Sequence, residues 1–493
     1  MTNNAILDIG TTALNIGANT YTQAAESTLV LTANSASSFG SINSTAAAAI
    51  AADSTIEVTV GGYIPNGATL TVVNTGGSGI GNVPTTITSS NPYVTFSAAN
   101  SGNNLILAAI RAGNNSFAGA GAMANSNAAV VGNVLDNVTN PSADMTTVLT
   151  ALGNLSQSQV ASSLESMAPV VDGGQPKVTN ELLNGFVRTA LLRLQDSKIE
   201  EDENGRDLLL YSASRRNDIW AQFYGDYAHQ DKRGLSNGYL ARIWGTVLGI
   251  DRLFMDDTLR LGLAQGFGFS KIRSKDNYGR TGIDSYQTGL YGEYQAKDSP
   301  YIIDAVLTYG YNNYDSSRHV TVGNINRIAQ SDYHGHQFSS YFEAGYKIQK
   351  NGFDIIPLIS LTYTHLYLSS YTETGADSLN LSVNSQKYDS LQPGIGLRLS
   401  RAFENKSSII TPEFRFRYFY DAINDRQQTI ATFAGGGTSF KTEGYKPAPS
   451  SFDFGARLEF FNKKNITLLA DCNTVLKDDY YEVGGSLTFK YSF

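Results

Sequence analysis

PEFRFRYFY, residues 412–420, decides the fold. Phe414, Phe416, Tyr418 and Tyr420 alternate with Glu413, Arg415 and Arg417. A β-strand sends successive side chains to opposite faces, so rings lie on one side here and both signs of charge on the other. The same alternation recurs in SFDFGARLEFF, residues 451–461. There Phe452, Phe454, Leu458 and Phe460 share one face, with Asp453, Arg457 and Glu459 on the other. Phe342, Tyr346 and Ile348 stand against Glu343 and Lys347. The chain ends in YYEVGGSLTFKYSF, residues 480–493, where Val483, Leu487, Phe489, Tyr491 and Phe493 alternate with Glu482, Ser486, Thr488, Lys490 and Ser492.

A soluble barrel places apolar side chains inside and polar ones outside. These strands invert that order. Glu343, Glu413, Arg415, Arg417, Asp453, Arg457, Glu459 and Glu482 share the inner face, and the aromatics require a nonaqueous exterior. On a lipid face each Lys or Arg at midplane costs roughly 2–4 kcal/mol, which is reason enough to turn it inward. From Asp218 onward about twelve strands of ten residues or more can be laid down, the format of an outer-membrane barrel. Tight turns are expected at Asp256-Asp257 and Asn351-Gly352. Long loops are expected at SKDNYGRTG, HVTVGNINRIAQSDYHGH, TETGADSLNLSVNSQK and INDRQQTIATFAGGGTSFKTEGYKPAP. Residues 205–493 are thus assigned to a 12-stranded transmembrane β-barrel in an all-β chain.

Composition agrees with a sheet protein. Charged residues make up 16% of the 493, beside 47 Gly, 28 Tyr and 23 Phe. Net charge is -8, which argues against a nucleic-acid partner. The single cysteine, Cys472, excludes an intrachain disulfide and a cysteine-based zinc cluster. No run reaches the roughly 18 apolar residues of a membrane helix, a test to which barrels are blind. MTNNAILDIG lacks the charged and apolar regions of a signal peptide, so an exported chain with this start is expected to be a mature form or a fragment.

The N-terminal half differs. No lysine or arginine precedes Arg111. Short apolar runs such as TLVLTA, IEVTV and ATLTVV recur between Gly or Asn turns, which reads as short strands. Their regular spacing over residues 1–111 suggests a parallel β-helix-like solenoid, with a β-sandwich as the alternative. The stretch from Ser54 to Arg111 is a candidate cap on it. Residues 112–176 form an Asn/Ala/Ser-rich linker in which MTTVLTALGNL and SQVASSLESM have helical spacing, the second capped by Ser156 or Ser158. Residues 177–204 contain Leu182, Leu183, Phe186, Val187, Leu191 and Leu194 at helical spacing, with Thr179 as N-cap and Arg188 and Arg193 on the helix. Spacing alone leaves this helix open to a surface position.

DIWAQFYGDY, GTVLGIDRLFMDDTLRLGLAQGFGFSKI, IDSYQTGLYGEY and the terminal LTFKYSF resemble the translocator domain of autotransporters of the type V secretion class. The resemblance covers about Asn154 to Phe493, in order and spacing together. It implies a Gram-negative outer-membrane barrel that exports its own N-terminal passenger to the cell surface. It implies a helix left in the pore, so that Leu183, Arg188 and Arg193 face the lumen wall, with Glu343, Glu413 or Glu482 as partners for the arginines. It implies Tyr491 and Phe493 as the insertion signal, barrel-assembly machinery, periplasmic chaperones and outer-membrane lipid as partners, and a monomer. Some relatives cut themselves at an asparagine in this helix. Asn180 and Asn184 are the candidates here, although an adjacent Asn-Asn pair is absent.

Enzyme motifs are missing: the sequence has no HExxH, GxSxG or phosphate loop. No cofactor or metal is expected, and His334 and His336 beside a long loop read as a solvated strand end. The passenger reads as an adhesin or structural surface protein. A porin or transport channel with a periplasmic domain is the alternative, and it would need neither the helix nor the solenoid.

Overall fold

The computed structural model describes residues 1–493 apart from Asp172, 196–199, 202–206, 209–216, 256–257, 297–298, Tyr445 and Phe493. The expected turn at Asp256-Asp257 and the terminal Phe493 therefore lie outside the described residues.

Short strands of the N-terminal half stack in parallel on three faces. One face joins Thr2–Asn3, Tyr21–Gln23 and Ala48–Ile50. A second joins Ile6–Asp8, Thr28–Ser35, Thr55–Val60 and Thr86–Ser89. The third joins Ala13–Gly17, Ser41–Ser44 and Thr69–Asn74. Register places Leu29 on Ile56, Leu31 on Val58 and Ile42 on Val73, all buried. Each coil thus finishes the apolar stripe of the next, as a solenoid requires. Parallel pairing rules out the β-sandwich. The departure from stacking comes later than Ser54: the strands through Ser89 still stack in parallel, and the antiparallel hairpin Thr95–Ser101 with Asn104–Ile110 closes the end.

Four helices follow: α1 (Phe117–Gly121), α2 (Ser126–Asp136), α3 (Ala143–Gly153) and α4 (Gln157–Met167). Side-chain oxygens of Ser116, Asn125 and Ser142 accept from Gly119, Ala128 and Met145 amides, and so satisfy first-turn donors. Ser156 precedes α4, and its backbone N–H donates to Gln159 Oε1 at 3.0 Å.

Helix α5 spans Gly174–Leu194 and starts earlier than the sequence suggests. Its N-cap is Gly173, at φ 83°, and Pro176 sits in the first turn, where its missing N–H costs nothing. Thr179 is therefore interior rather than capping: its hydroxyl lies 2.7 Å from the Gln175 carbonyl and 2.9 Å from Tyr314 Oη.

Twelve antiparallel strands close the barrel. They are β1 (Asn217–Gln230), β2 (Tyr239–Phe254), β3 (Leu259–Ser274), β4 (Gly279–Tyr294), β5 (Tyr301–Val322) and β6 (Ile325–Tyr346). Then come β7 (Phe353–Leu368), β8 (Gln386–Ser400), β9 (Ile409–Tyr420), β10 (Ser450–Phe461), β11 (Ile466–Lys477) and β12 (Tyr480–Ser492). Closure is by β1 on β12, from Asp218 opposite Ser492 to Gln230 opposite Tyr480. Asn351 and Gly352, at φ 55° and 76°, make the tight turn that joins β6 to β7. Two expected loops are strand instead. SKDNYGRTG shrinks to a short connection between β3 and β4, and HVTVGNINRIAQSDYHGH is mostly the projecting β5–β6 hairpin. Val320, Val322 and Ala329 keep the period-2 pattern there because they pack on the helices. The other two long connections contribute Tyr371–Thr372, Leu381–Val383, Gln428–Phe433 and Phe440–Glu443 to a four-stranded outer sheet.

Candidate functional site

The lumen is built by parity. On β9 Glu413 is 4% exposed and its neighbour Phe414 63%. Glu343, Arg415, Arg417, Arg457, Glu459 and Glu482 are likewise buried inward, and Asp453 lines a lumen cavity of about 1000 Å³. Phe452, Leu458, Leu487, Phe489 and Tyr491 face outward.

Helix α5 lies within the barrel, leaning on β2, β3, β4 and β5. Val178, Leu182, Phe186, Ala190 and Leu194 share a buried cluster with Trp220, Tyr224, Tyr291 and Tyr314. Glycines make the seat. A Cβ on Gly266 or Gly289 would stand 2.7 or 2.6 Å from the Phe186 ring, and one on Gly185 2.6 Å from Tyr224. The inward glycines of AQGFGF and QTGLYG are thus the room into which the helix fits. Leu183 is buried on the same helix, close to Gly310 of β5.

The polar face of α5 turns to the cavity, which Lys177, Asn180, Glu181, Asn184 and Arg188 line. Lys177 pairs with Glu181. Asn180 Oδ1 accepts from Gln337 at 2.6 Å, and Asn184 Nδ2 donates to Glu181 at 3.1 Å.

The arginines choose partners other than those expected. Arg188 donates to both oxygens of Asp226 at 2.9 and 3.1 Å. Arg193 donates to Asp251 at 2.8 and 2.6 Å and pairs with Asp218. Arg260 reaches Asp251 at 2.7 Å and Asp218 at 3.1 Å, so two cations meet two anions. Tyr291 Oη donates to Asp251 at 2.8 Å and accepts from Trp220 Nε1 at 2.7 Å. Glu343, Glu413 and Glu482 are engaged elsewhere. Glu343 pairs with Arg417 at 3.0 Å, Glu413 with Arg415 at 3.3 Å, and Glu482 accepts from Tyr480 at 2.5 Å. Arg415 also pairs with Asp471, and Arg457 with Glu459 at 3.2 Å. Arg457 further donates to the Leu192 and Gln195 carbonyls at 3.1 and 2.8 Å, satisfying the negative end of α5.

Sequence reasoning missed Asp218, Asp226, Asp251 and Arg260. Their signal was the same parity: Asp218, Trp220, Gln222, Tyr224 and Asp226 all face inward on β1. His334 stacks on Tyr311, with ring centroids 6.0 Å apart, and His336 accepts or donates at 2.7 Å to Tyr309. Both belong to an aromatic patch on the outer wall.

A closed barrel with rings outside, charges inside and a helix through its lumen is an outer-membrane translocator in architecture. A family model described as "Autotransporter beta-domain" matches residues 219–473, and the chain belongs to that family. Esterase EstA of Pseudomonas aeruginosa is 27% identical over 240 residues, 46% of this chain and 36% of the esterase. Outer membrane protein A of Rickettsia conorii is 25% identical over 284 residues, 56% of this chain and 14% of that protein. The chain thus spans about a third or less of these relatives' length. The translocator domain of autotransporter NalP from Neisseria meningitidis, 17% identical, superposes with a TM-score of 0.51 over 66% of this chain and all of that domain, which shows a common fold. The barrel is a protein of the Gram-negative outer membrane, in contact with lipid.

Proposed function

We propose that the chain exports its own N-terminal half and displays it on the cell surface, with α5 left in the pore. The observation that carries this is the path of the chain. Gln175, at the start of α5, donates to Thr281 at 3.1 Å, near the loop end of the barrel. Arg193, at its other end, meets Asp218, where β1 begins at the short-turn end. The polypeptide therefore threads the lumen, and the solenoid lies at the end with long loops. In barrels of this type the long loops face outward and the short turns face the periplasm. A channel with a periplasmic domain would place that domain at the opposite end. Insertion through barrel-assembly machinery and periplasmic chaperones, with Tyr491 and Phe493 as the signal, belongs to the same proposal. So do division of the chain at 1–111, 112–176, 177–204 and 205–493, and a passenger that serves as adhesin or structural surface element rather than enzyme.

An epitope near Thr2 and an added signal peptide test this in a Gram-negative host. Protease on intact cells is expected to remove the tag and leave a heat-modifiable barrel fragment. A tag shielded until the outer membrane is broken refutes surface display. Attachment of cells carrying the full chain, compared with cells lacking residues 1–111, tests the adhesive role.

A further inference from the structure

Four cations stand on the outward wall of the barrel at its loop end, on three neighbouring strands. Arg242 on β2 lies directly opposite Lys271 on β3, and Arg273 on β3 lies directly opposite Arg280 on β4. All four are exposed. Neighbouring strands are about 4.8 Å apart and alternate residues about 7 Å, so the four share a patch roughly 10 Å across. The far wall carries nothing of the kind. Arg415, Arg417, Arg457 and Lys490 of β9 to β12 are buried inward, and Lys477 lines the lumen cavity.

Such an arrangement is unfavourable unless an anion joins it, because like charges directly opposite each other destabilise a sheet. Among the described residues none of the four forms an ion pair, and Arg273 donates to the Asn277 side-chain oxygen at 2.9 Å. Lys275, two residues further along β3, shows the usual remedy: it pairs with Asp231 at 2.5 Å.

On the membrane side of the patch lies an aromatic step. Trp244 and Phe269, two residues from Arg242 and Lys271, face each other across β2 and β3 with ring centroids 6.2 Å apart. Phe267 and Leu263 continue the exposed apolar stripe down β3. Aromatic girdles of barrels mark the membrane interface, which sets the four cations at headgroup height, where charge on the wall costs little.

We infer that this patch binds a phosphorylated glycolipid of the outer leaflet, with phosphates between the facing cations and acyl chains along Trp244, Phe269 and Phe267. Guanidinium groups hold phosphate oxygens in pairs, and a phosphate between two cations turns their repulsion into attraction. The phosphate of an ordinary phospholipid would engage one facing pair and leave the other uncompensated, whereas a sugar headgroup with two phosphates engages both. The inference rests on the outward orientation argued above, which places the patch in the outer leaflet rather than the periplasmic one.

The test titrates the full chain in detergent with bis-phosphorylated lipid A, its dephosphorylated form and phosphatidylglycerol, and counts bound lipid by native mass spectrometry. Wild type is expected to bind lipid A roughly tenfold or more tightly than either of the others. Arg242→Gln with Arg280→Gln removes one cation from each facing pair and should abolish that preference. Arg252→Gln, exposed on β2 at the opposite rim, should keep it. In lipid-free detergent the double variant should melt no earlier than wild type, since a repulsion is gone; earlier melting would mean that the cations already have partners and would overturn the argument. A folded double variant with the wild-type preference overturns the site. Should that variant not fold, dephosphorylated lipid A that binds wild type as tightly as the phosphorylated form overturns it. Phosphatidylglycerol binding as tightly as lipid A overturns a glycolipid ligand. An N-terminal tag shielded in intact cells refutes the outward orientation, and with it an outer-leaflet ligand, whatever the titration gives.

Discussion

Replacing Arg193 with methionine tests whether the buried charge cluster holds the helix in the pore. The side chain is 1% exposed and reaches Asp251 with two bonds of 2.8 and 2.6 Å as well as Asp218. Methionine keeps most of the volume and removes the charge, leaving two buried carboxylates to share Arg260. Breaking a buried pair from one side costs roughly 3–5 kcal/mol, because the remaining charge is stranded. At about 1.4 kcal/mol per decade, the helix should leave its seat roughly 10²- to 4 × 10³-fold more often. It should still sit in the pore most of the time. Phe186, Leu182, Val178 and Leu194 remain buried, and a fully buried side chain of this kind is worth roughly 1.5–3 kcal/mol. The assay is single-channel recording in planar bilayers. Wild type should open rarely, and Arg193→Met should open more often by that factor with the same unit conductance. Asp251→Asn combined with Arg193→Met should cost less than the sum of the two singles. An open probability within a few-fold of wild type would refute the reasoning: the cluster would then be worth no more than an exposed pair, about 0–1 kcal/mol.

Other outcomes follow from the same geometry. Gly266→Ala should hinder seating of α5 by roughly 1–3 kcal/mol, since its Cβ would stand 2.7 Å from Phe186, and Phe186→Ala should restore assembly of heat-modifiable barrel. Gly352→Val, at φ 76°, should cost about 1–2 kcal/mol and slow barrel insertion in a pulse-chase, whereas Gly352→Asn should not. Tyr63→Phe removes a bond to the Leu135 carbonyl and should destabilise the N-terminal half by roughly 1 kcal/mol, read as earlier thermal loss of protease resistance. Asp136 gives a pH dependence. Burial pushes its carboxyl up to about 6, against the Phe117 and Ala118 amides and Arg111, which hold it down. The folded state then binds the proton more tightly than the unfolded state. Stability at this junction should be greatest below about pH 4 and fall as pH rises towards 6, by about 3 kcal/mol at most. Protease resistance of the N-terminal half at pH 4.5 against pH 7 measures it, and a rise in resistance over that interval would contradict the assignment.

Why was the barrel legible in the sequence and its latch not? Membrane strands advertise themselves through a one-dimensional rule. Parity separates Phe414 from Glu413 whatever lies across the lumen, so all twelve strands were readable singly. Partner choice needs a second coordinate, height along the barrel axis. Arg188 and Arg193 sit one and a half turns apart on α5, and each meets the carboxylate at its own level: Asp226 in mid-barrel and Asp218 with Asp251 at the short-turn end. Glu343 and Glu413 share the right face but are held by Arg417 and Arg415. The outer hairpin was misread for the opposite reason. Its residues keep strand parity, but polar spacing looked like a loop, and only the core contributed by α1 to α4 makes Val320 and Val322 worth burying. The glycines carried the information in negative form. Inward positions without side chains at Gly266 and Gly289 leave room on the inner wall for something else in the lumen. Within the same sequence the object that fills them is the helix bearing Phe186, whose ring occupies the space both glycines leave. An empty inner track on several neighbouring strands is thus a sequence-level signature of a plugged barrel, and it points to which wall the plug will lean on.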